Sequence, residues 1–263
     1  MKQVERIKEF GGWLERCRDW SAAETAIIWD AHLGGHPVTL IGIESRQIPR
    51  IGYVPNDGPD VWSAATPFPQ SSTKLSRALN AASGNRPVVI LANLSGFDGS
   101  PESMRRGVLE YGAEIARAIV RFRGRIVFTV VTRYHGGAYV VFSRELNDSM
   151  RAVALEGSYA SVIGGPAAAA VVFARDVRRR ALADPRVASA RAAVDAATDP
   201  AVRLARRARL DQILDDVILQ KQAEVAAEFD AIHTVERAKE VGSIEEILGP
   251  GPLRRWLIGY LSE

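Results

Sequence analysis

The residues with the clearest chemical capability are two adjacent glycines, Gly136 and Gly137. They sit inside the block Thr132-Arg133-Tyr134-His135-Gly136-Gly137-Ala138-Tyr139-Val140-Val141. An apolar run, Ile126 to Val131, precedes them and reads as a buried strand, and the residues after them can start a helix. A strand that passes through Gly-Gly into a helix leaves main-chain N–H groups without intrahelical partners. Such donors suit an anion, or an oxygen that gains negative charge during a reaction, with no charged side chain required. One strand earlier, Ala92-Asn93-Leu94-Ser95-Gly96-Phe97 sets another glycine after another apolar run.

Other chemistries lack their residues. There is no Gly-x-x-x-x-Gly-Lys-Ser/Thr phosphate loop, no Gly-x-Ser-x-Gly nucleophile elbow, and no Gly-x-Gly-x-x-Gly after a strand. The four histidines, His32, His36, His135 and His233, have no metal-ligand spacing with nearby acids, so no metal is expected. Cys17 is the single cysteine, which excludes an internal disulfide and a cysteine-rich zinc site. Glycine-lined strand ends without a nucleophile fit chemistry carried by the substrate or by a cofactor, with the protein supplying orientation and backbone dipoles.

The elements that must position these residues emerge from periodicity. Residues 1–30 are expected to form a helix, from Val4, Ile7, Phe10, Trp13, Leu14 and Cys17. Trp29 to His36 reads as a turn-rich link, and Pro37 to Glu44 as a strand. Residues 46–70 carry five prolines and two glycines and read as a long functional or interface loop. Ser71 or Ser72 can cap a helix reaching about Ala82. Strands are expected over Pro87 to Asn93 and Arg125 to Thr132. Between them a helix runs from Pro101, suited to a first helical turn, to about Phe122. Short strands at Val153 to Glu156 and Ser161 to Ile163 precede a helix opened by Gly164-Gly165-Pro166 and spanning Ala167 to Val177. Strand, glycine turn and helix recur with no hairpin signal, which predicts parallel strands with helical crossovers, an α/β fold. From about Arg178 the chain reads as long helices, broken at Gly249-Pro250-Gly251-Pro252 before a last helix to Leu261. The arginines of residues 175–211 have interspersed acids and read as a solvated helical face, or else as a docking surface for an acidic partner or for nucleotide phosphates.

The chain has 263 residues, 47% hydrophobic and 25% charged, with a net charge of +3. That is an ordinary globular composition, and the small net charge gives no reason to expect nucleic acid. No apolar run reaches the roughly 20 residues needed to span a membrane. The N-terminus lacks the apolar core of a secretory signal, so a cytoplasmic location is expected.

Several ordered blocks carry a resemblance. They are Leu33-Gly34-Gly35-His36-Pro37-Val38 with Gly42-Ile43-Glu44-Ser45-Arg46; Ile90-Leu91-Ala92-Asn93 with Gly96-Phe97; Tyr111-Gly112-Ala113; and Arg133 to Val141. Over about Leu33 to Ile247 the chain resembles the C-terminal half of the carboxyltransferase domain of biotin-dependent acyl-CoA carboxylases. That family has the crotonase fold, stacked ββα units, here with a helical C-terminal region. The resemblance implies a division into an N-terminal helical extension, residues 1–32, and a crotonase-like domain, residues 33–263.

The resemblance also implies a mechanism and partners. In this family the active site lies between the acyl-CoA half of one protomer and the biotin half of another. Backbone amides hold the ureido oxygen of biotin while N1′ loses the carboxyl group and takes the α-proton of the acyl thioester. By position, Gly136, Gly137 and Ala138 match the biotin-side oxyanion segment, and Tyr139, Val140 and Val141 match residues lining the adjoining cleft. Gly96 and Phe97 match a glycine and an aromatic facing that cleft, and Phe68 matches an aromatic neighbouring it. Arg46 and Arg133 are candidates for carboxylate or interface contacts. The implied partners are an acyl-CoA-binding half or subunit, a biotin carboxyl carrier protein and acyl-CoA itself, in a homo- or hetero-oligomer. Biotin is expected on a partner, because no Ala/Val-Met-Lys-Met attachment motif is present.

Two departures stand out. Ser95 occupies a position where multidomain eukaryotic-type relatives have a carboxylate-recognising arginine. Only some thirty residues precede the matched region, too few for an acyl-CoA half, so that half is expected outside this sequence. Three readings remain: a subunit of a split carboxyltransferase, a stand-alone crotonase-like enzyme acting in decarboxylation or thioester processing, and a non-catalytic assembly subunit. The intact Gly136-Gly137-Ala138 segment favours the first.

Overall fold

The computed structural model describes residues 13–262. Strand β1 (Trp13–Glu15) pairs antiparallel with β2 (Ala26–Leu33), and β2 pairs antiparallel with β3 (His36–Ile43). Gly34 at φ 60° and Gly35 at φ 88° close β2 onto β3. Two positive-φ residues make the two-residue turn whose twist matches that of the strands. The helix expected over residues 1–30 is therefore corrected. Residues 1–12 lie outside the described residues, and β1 and β2 occupy the positions where that helix would have continued. The Trp29 to His36 link is corrected too: it is the end of β2, a hairpin turn and the start of β3. Period-two burial is the cause, because Trp29, Ala31 and Leu33 are buried while His32 is exposed.

After β3 the long loop holds only a small ribbon, β4 (Ile48–Pro49) with β5 (Val61–Trp62). Helix α1 (Pro69–Ala82) starts earlier than the serines suggest. Phe68 is its N-cap and Pro69 its first residue, while the Ser71 hydroxyl accepts from the Phe68 N–H at 2.6 Å. Strand β6 (Val88–Leu94) leads into α2 (Pro101–Arg105) and α3 (Val108–Val120). The single helix expected here is split by Gly107, which sits at φ 76°. Strand β7 (Ile126–His135), α4 (Gly137–Val141), β8 (Met150–Leu155) and β9 (Tyr159–Ser161) come next.

Residues Ile163–Ile232 form a compact unit of their own. A turn at Gly165–Ala167 and a π-helical turn at Ala168–Val172 precede α5 (Ala174–Leu182), α6 (Pro185–Asp195) and α7 (Pro200–Ile232). Carboxylates start two of these helices: Asp184 accepts from the Arg186 N–H at 3.0 Å, and Asp199 from the Ala201 N–H at 2.8 Å. Val177, Val225 and Ala226 pack one small core, and Ala181, Val187 and Val217 another. Arg180 meets Glu228 at 2.7 Å and Asp176 at 2.8 Å, so some of the arginines are paired with the acids between them.

The chain then returns as α8 (Val235–Glu240), β10 (Glu246–Leu248) and α9 (Leu253–Ser262). Among the described residues, one eight-stranded sheet runs β1-β2-β3-β6-β7-β8-β10, with β9 paired to β7. From β3 onward all its pairings are parallel, as the strand–helix recurrence predicts. Alternate residues separate two cores. Ile41, Ile90, Phe128 and Ala152 pack beneath Leu75 and Leu79 of α1 and Ile115 and Ile119 of α3. Leu40, Val89, Val127 and Val153 face Leu257 and Leu261 of α9.

Candidate active site

Strands β3, β6 and β7 lie side by side in parallel, so the loops after them share one edge of the sheet. Ligand sites of open α/β sheets form at this carboxyl edge. Strand β7 keeps register with β6 up to Ala92↔Val130, then shifts so that Leu94 faces Tyr134. Beyond Val130 it leaves β8 and pairs with β9, from Arg133↔Tyr159 to His135↔Ser161. A bulge bends its strand and re-aims the residues beyond it. The first residue past the end of β7 is Gly136.

Gly136 has φ 66° and ψ −146°, a conformation essentially reserved for glycine. A Cβ on it would stand 2.9 Å from the Gly96 Cα. Gly96 is itself at φ 121°, so the two backbones cross where neither has a side chain. A Cβ on Gly137 would lie 2.8 Å from the Phe97 ring, and one on Gly112 of α3 would lie 3.2 Å from the same ring. Phe97 is thus seated, half-buried, between two glycines of different helices.

Gly137 and Ala138 are the first two residues of α4, where N–H groups have no carbonyl one turn back. Among the described residues no acceptor takes the N–H of Gly136, Gly137 or Ala138. Gly137 is exposed, Gly136 half-buried and Ala138 buried. Beneath them Tyr134 packs, with tilted rings, between Phe128 and Tyr139 and donates its hydroxyl to the Tyr139 carbonyl at 3.1 Å. Burial pushes the Tyr134 phenol far above its usual range, which keeps it a neutral donor. The Tyr139 hydroxyl meets that of Ser243 at 2.5 Å. His135 is buried and its Nδ1 lies 3.2 Å from the Ser161 hydroxyl.

The structure brings Gly96, Phe97, Gly136, Gly137, Ala138 and Tyr139 together. Val140 is exposed, whereas Val141 is buried in the core. Phe68 is 1% exposed and packs on Trp62 with ring centroids 4.6 Å apart. It borders the site through neighbouring backbone: the Ser95 N–H donates to the Ala65 carbonyl at 2.8 Å and the Asp98 N–H to that of Pro67 at 3.1 Å. Arg46 is exposed, 3.5 Å from Glu44, and Arg133 is exposed on β7.

Sequence reasoning missed the pair that anchors the long loop. Arg50 and Glu102 are both about 5% exposed or less and share two hydrogen bonds, 2.6 and 2.8 Å long. These bonds outweigh burial and hold the Glu102 carboxyl below its usual range. No local pattern links residues 52 apart, so only the fold reveals the pair. Tyr134 and Ser243 were also missed. Tyr134 had a signal, an aromatic at an inward-facing strand position shortly before the glycines. Among the described residues no three His, Cys, Asp or Glu side chains gather as metal ligands. No helix among them is long and apolar enough to cross a membrane.

This parallel sheet with helical crossovers matches the α/β, crotonase-like fold of solved carboxyltransferases. Transcarboxylase 12S, solved with methylmalonyl-coenzyme A bound, matches with a TM-score of 0.64 at 20% identity, over 99% of this chain and 41% of that one. The β subunit of Pseudomonas aeruginosa geranyl-CoA carboxylase matches with a TM-score of 0.62 at 18% identity, over 95% of this chain and 38% of that one. The profile of the carboxyl transferase domain covers residues 3–247, and the chain belongs to that family. Acetyl-CoA carboxylase of Saccharomyces cerevisiae is 29% identical over 179 residues, 63% of this chain and 8% of that protein. The Schizosaccharomyces pombe acetyl-CoA carboxylase is 30% identical over 183 residues, with the same shares. The chain therefore corresponds to a small part of these relatives.

Proposed function

We propose that this chain is the biotin-side half of a biotin-dependent acyl-CoA carboxyltransferase. It works with an acyl-CoA-binding half supplied by a partner and with a biotin carboxyl carrier protein, in an oligomer placed in the cytoplasm. Family membership supports the reaction class. The observation that carries the site is the set of unclaimed N–H groups at Gly137 and Ala138 beside the seated Phe97 ring.

Biotin supplies the carboxyl group and the base for the acyl-CoA α-proton. A cyclic urea oxygen that gains negative charge as its carboxyl departs is the acceptor such donors suit. In this reading Gly137 and Ala138 donate to that oxygen, and the constrained Gly136 backbone aims them. Phe97 closes one side against water, and Gly96 admits the close crossing that sets the angle. Tyr139 and Val140 form the adjoining wall, with Val141 packed behind them in the core. Phe68 acts indirectly, by holding the start of α1 against the loop that carries Gly96. Arg46 is assigned to an interface or carboxylate contact at the rim. The domain reading becomes a crotonase-like body with Ile163–Ile232 as a helical insertion.

The test separates donor from bulk. Gly137→Ala and Gly137→Pro both put a Cβ against Phe97, but only proline removes the N–H, at a position where helices tolerate it. With the acyl-CoA half and carboxylated carrier present, Gly137→Pro is expected to transfer carboxyl about 10²–10³-fold more slowly than Gly137→Ala. Equal rates would remove the donor role. Thioester turnover by the chain alone, without biotin, would replace the whole reading with that of a stand-alone enzyme.

A further inference from the structure

At the opposite edge of the sheet lies a cavity of about 170 Å³ between α1, the β1–β2 turn and the start of β6. Strand β6 has seven residues, which separates this cavity from the Gly96 loop by about 20 Å at ~3.3 Å per residue. The lining includes Arg16, Lys74, Arg77 and Arg86, with Asp30 as its one carboxylate. Asp30 serves two of them, at 2.8 Å from Arg16 and 3.2 Å from Arg86. Arg77 lies over the Trp20 ring at 5.3 Å. Lys74 is only 3% exposed, and among the described residues it has no hydrogen-bond or ion-pair partner. Glu15 and Glu24 favour its charged form from a distance, and neither forms an ion pair with it among the described residues. Ala78, Ala81 and Ala82 continue the same face of α1, and their small side chains leave the space open.

A largely buried lysine side chain whose ammonium has no partner among the described residues costs stability unless something compensates it. Here it opens onto a space whose walls carry three more cations than anions. We propose that this cavity binds a small phosphate-bearing anion of two or more negative charges, held by Lys74 and Arg77 with Arg16 and Arg86 at its edge. The volume equals about five to six waters at ~30 Å³ each, which fits a pyrophosphate-sized ion. A tetrahedral group with several acceptor oxygens meets an ammonium point charge and a planar guanidinium fork together, as a flat carboxylate does less well. The site is independent of carboxyl transfer, since it lies at the amino ends of the strands and shares no residue with the Gly136 region.

The test is titration calorimetry of inorganic pyrophosphate into the full chain at two salt concentrations. Saturable one-site binding is expected, weaker at higher salt, with succinate at least tenfold weaker. Arg77→Gln, a change at an exposed side chain that leaves the core intact, and Lys74→Met should each weaken binding at least tenfold. The double variant Arg178→Gln/Arg207→Gln, on the arginine-rich helices, should bind as the wild type does. Binding that survives both Arg77→Gln and Lys74→Met, or that is lost in the Arg178/Arg207 variant, places the ion elsewhere and overturns the proposal. So does the absence of saturation at millimolar pyrophosphate. Succinate binding as tightly as pyrophosphate would overturn the phosphate assignment.

Discussion

The two edges of the parallel sheet handle charge in opposite ways. At the carboxyl edge charged side chains neutralise one another, Arg50 with Glu102 and Arg46 with Glu44, and the groups left open are main-chain N–H donors. At the amino edge the surplus lies in cationic side chains around Lys74. Backbone donors cannot titrate and are held by covalent geometry, which suits a charge that appears only fleetingly. Side-chain cations carry full charge and respond to salt, which suits a ligand that arrives already charged.

The sharpest way to break this contrast is at the carboxyl edge. Glu102→Gln leaves Arg50 buried without its counter-charge, and a loss of about 3–5 kcal/mol is expected. Urea unfolding measures it. The Glu102 carboxyl has a lowered pKa in the folded state. Its contribution is therefore complete above the ordinary glutamate value of about 4.3 and is lost as pH falls through the lower, folded value. The gap between wild type and variant should narrow on acidification in that window. A gap that stays constant as pH falls well below the ordinary glutamate value would show that the pair does not behave as a buried ion pair.

Next in size is Gly136→Ala. Backbone strain of about 1–3 kcal/mol adds to a Cβ contact with Gly96 backbone that no rotamer relieves. The total reaches about 2–6 kcal/mol when overpacking of ~1–3 kcal/mol is included. An alanine variant with an unshifted urea midpoint would mean the crossing is looser than described.

The smallest effect belongs to the amino edge and has the opposite sign. Lys74→Met removes a desolvated charge and should raise stability by about 1 kcal/mol, or roughly 2–4 °C in Tm for a chain of this size. Burial lowers the Lys74 pKa, so the unfolded chain holds that proton more tightly than the folded one. Wild-type stability should therefore gain as pH rises through the lowered value toward that of free lysine, and the advantage of the variant should shrink there. A variant less stable than wild type at neutral pH would show that the ammonium is already compensated.

Legibility in the sequence tracks the range of the interactions. Strands β3, β6 and β7 stand out because each is buried on both faces and reads as an apolar run. The tandem glycines stand out because their backbone angles admit little else. Residues 13–30 read as helix because Trp13, Leu14 and Cys17 continue a helical spacing, and Gly34-Gly35 resembles loop punctuation, although two glycines between alternating residues are also a hairpin turn. The alternation Trp29, Ala31, Leu33 carries that signal. Strand β10 is hidden because three residues beside a Gly-Pro run look like loop, and only pairing with β8 makes them a strand. Phe68 neighbours the loop that carries Gly96, but its side chain lies in the core, which spacing alone cannot tell. The Arg50–Glu102 and Tyr139–Ser243 contacts join distant parts of the chain and leave no local trace.

The helical unit Ile163–Ile232 enters and leaves through a closed seam. On its two flanks the Ala160 N–H donates to the His233 carbonyl at 3.2 Å and the Val235 N–H to that of Ser158 at 3.2 Å, with Tyr159 bridged to Thr234. The ends of the excursion are thus stitched together before it begins. Lengthening or trimming that module should therefore leave the stitch, and the strand that aims Gly136, in place.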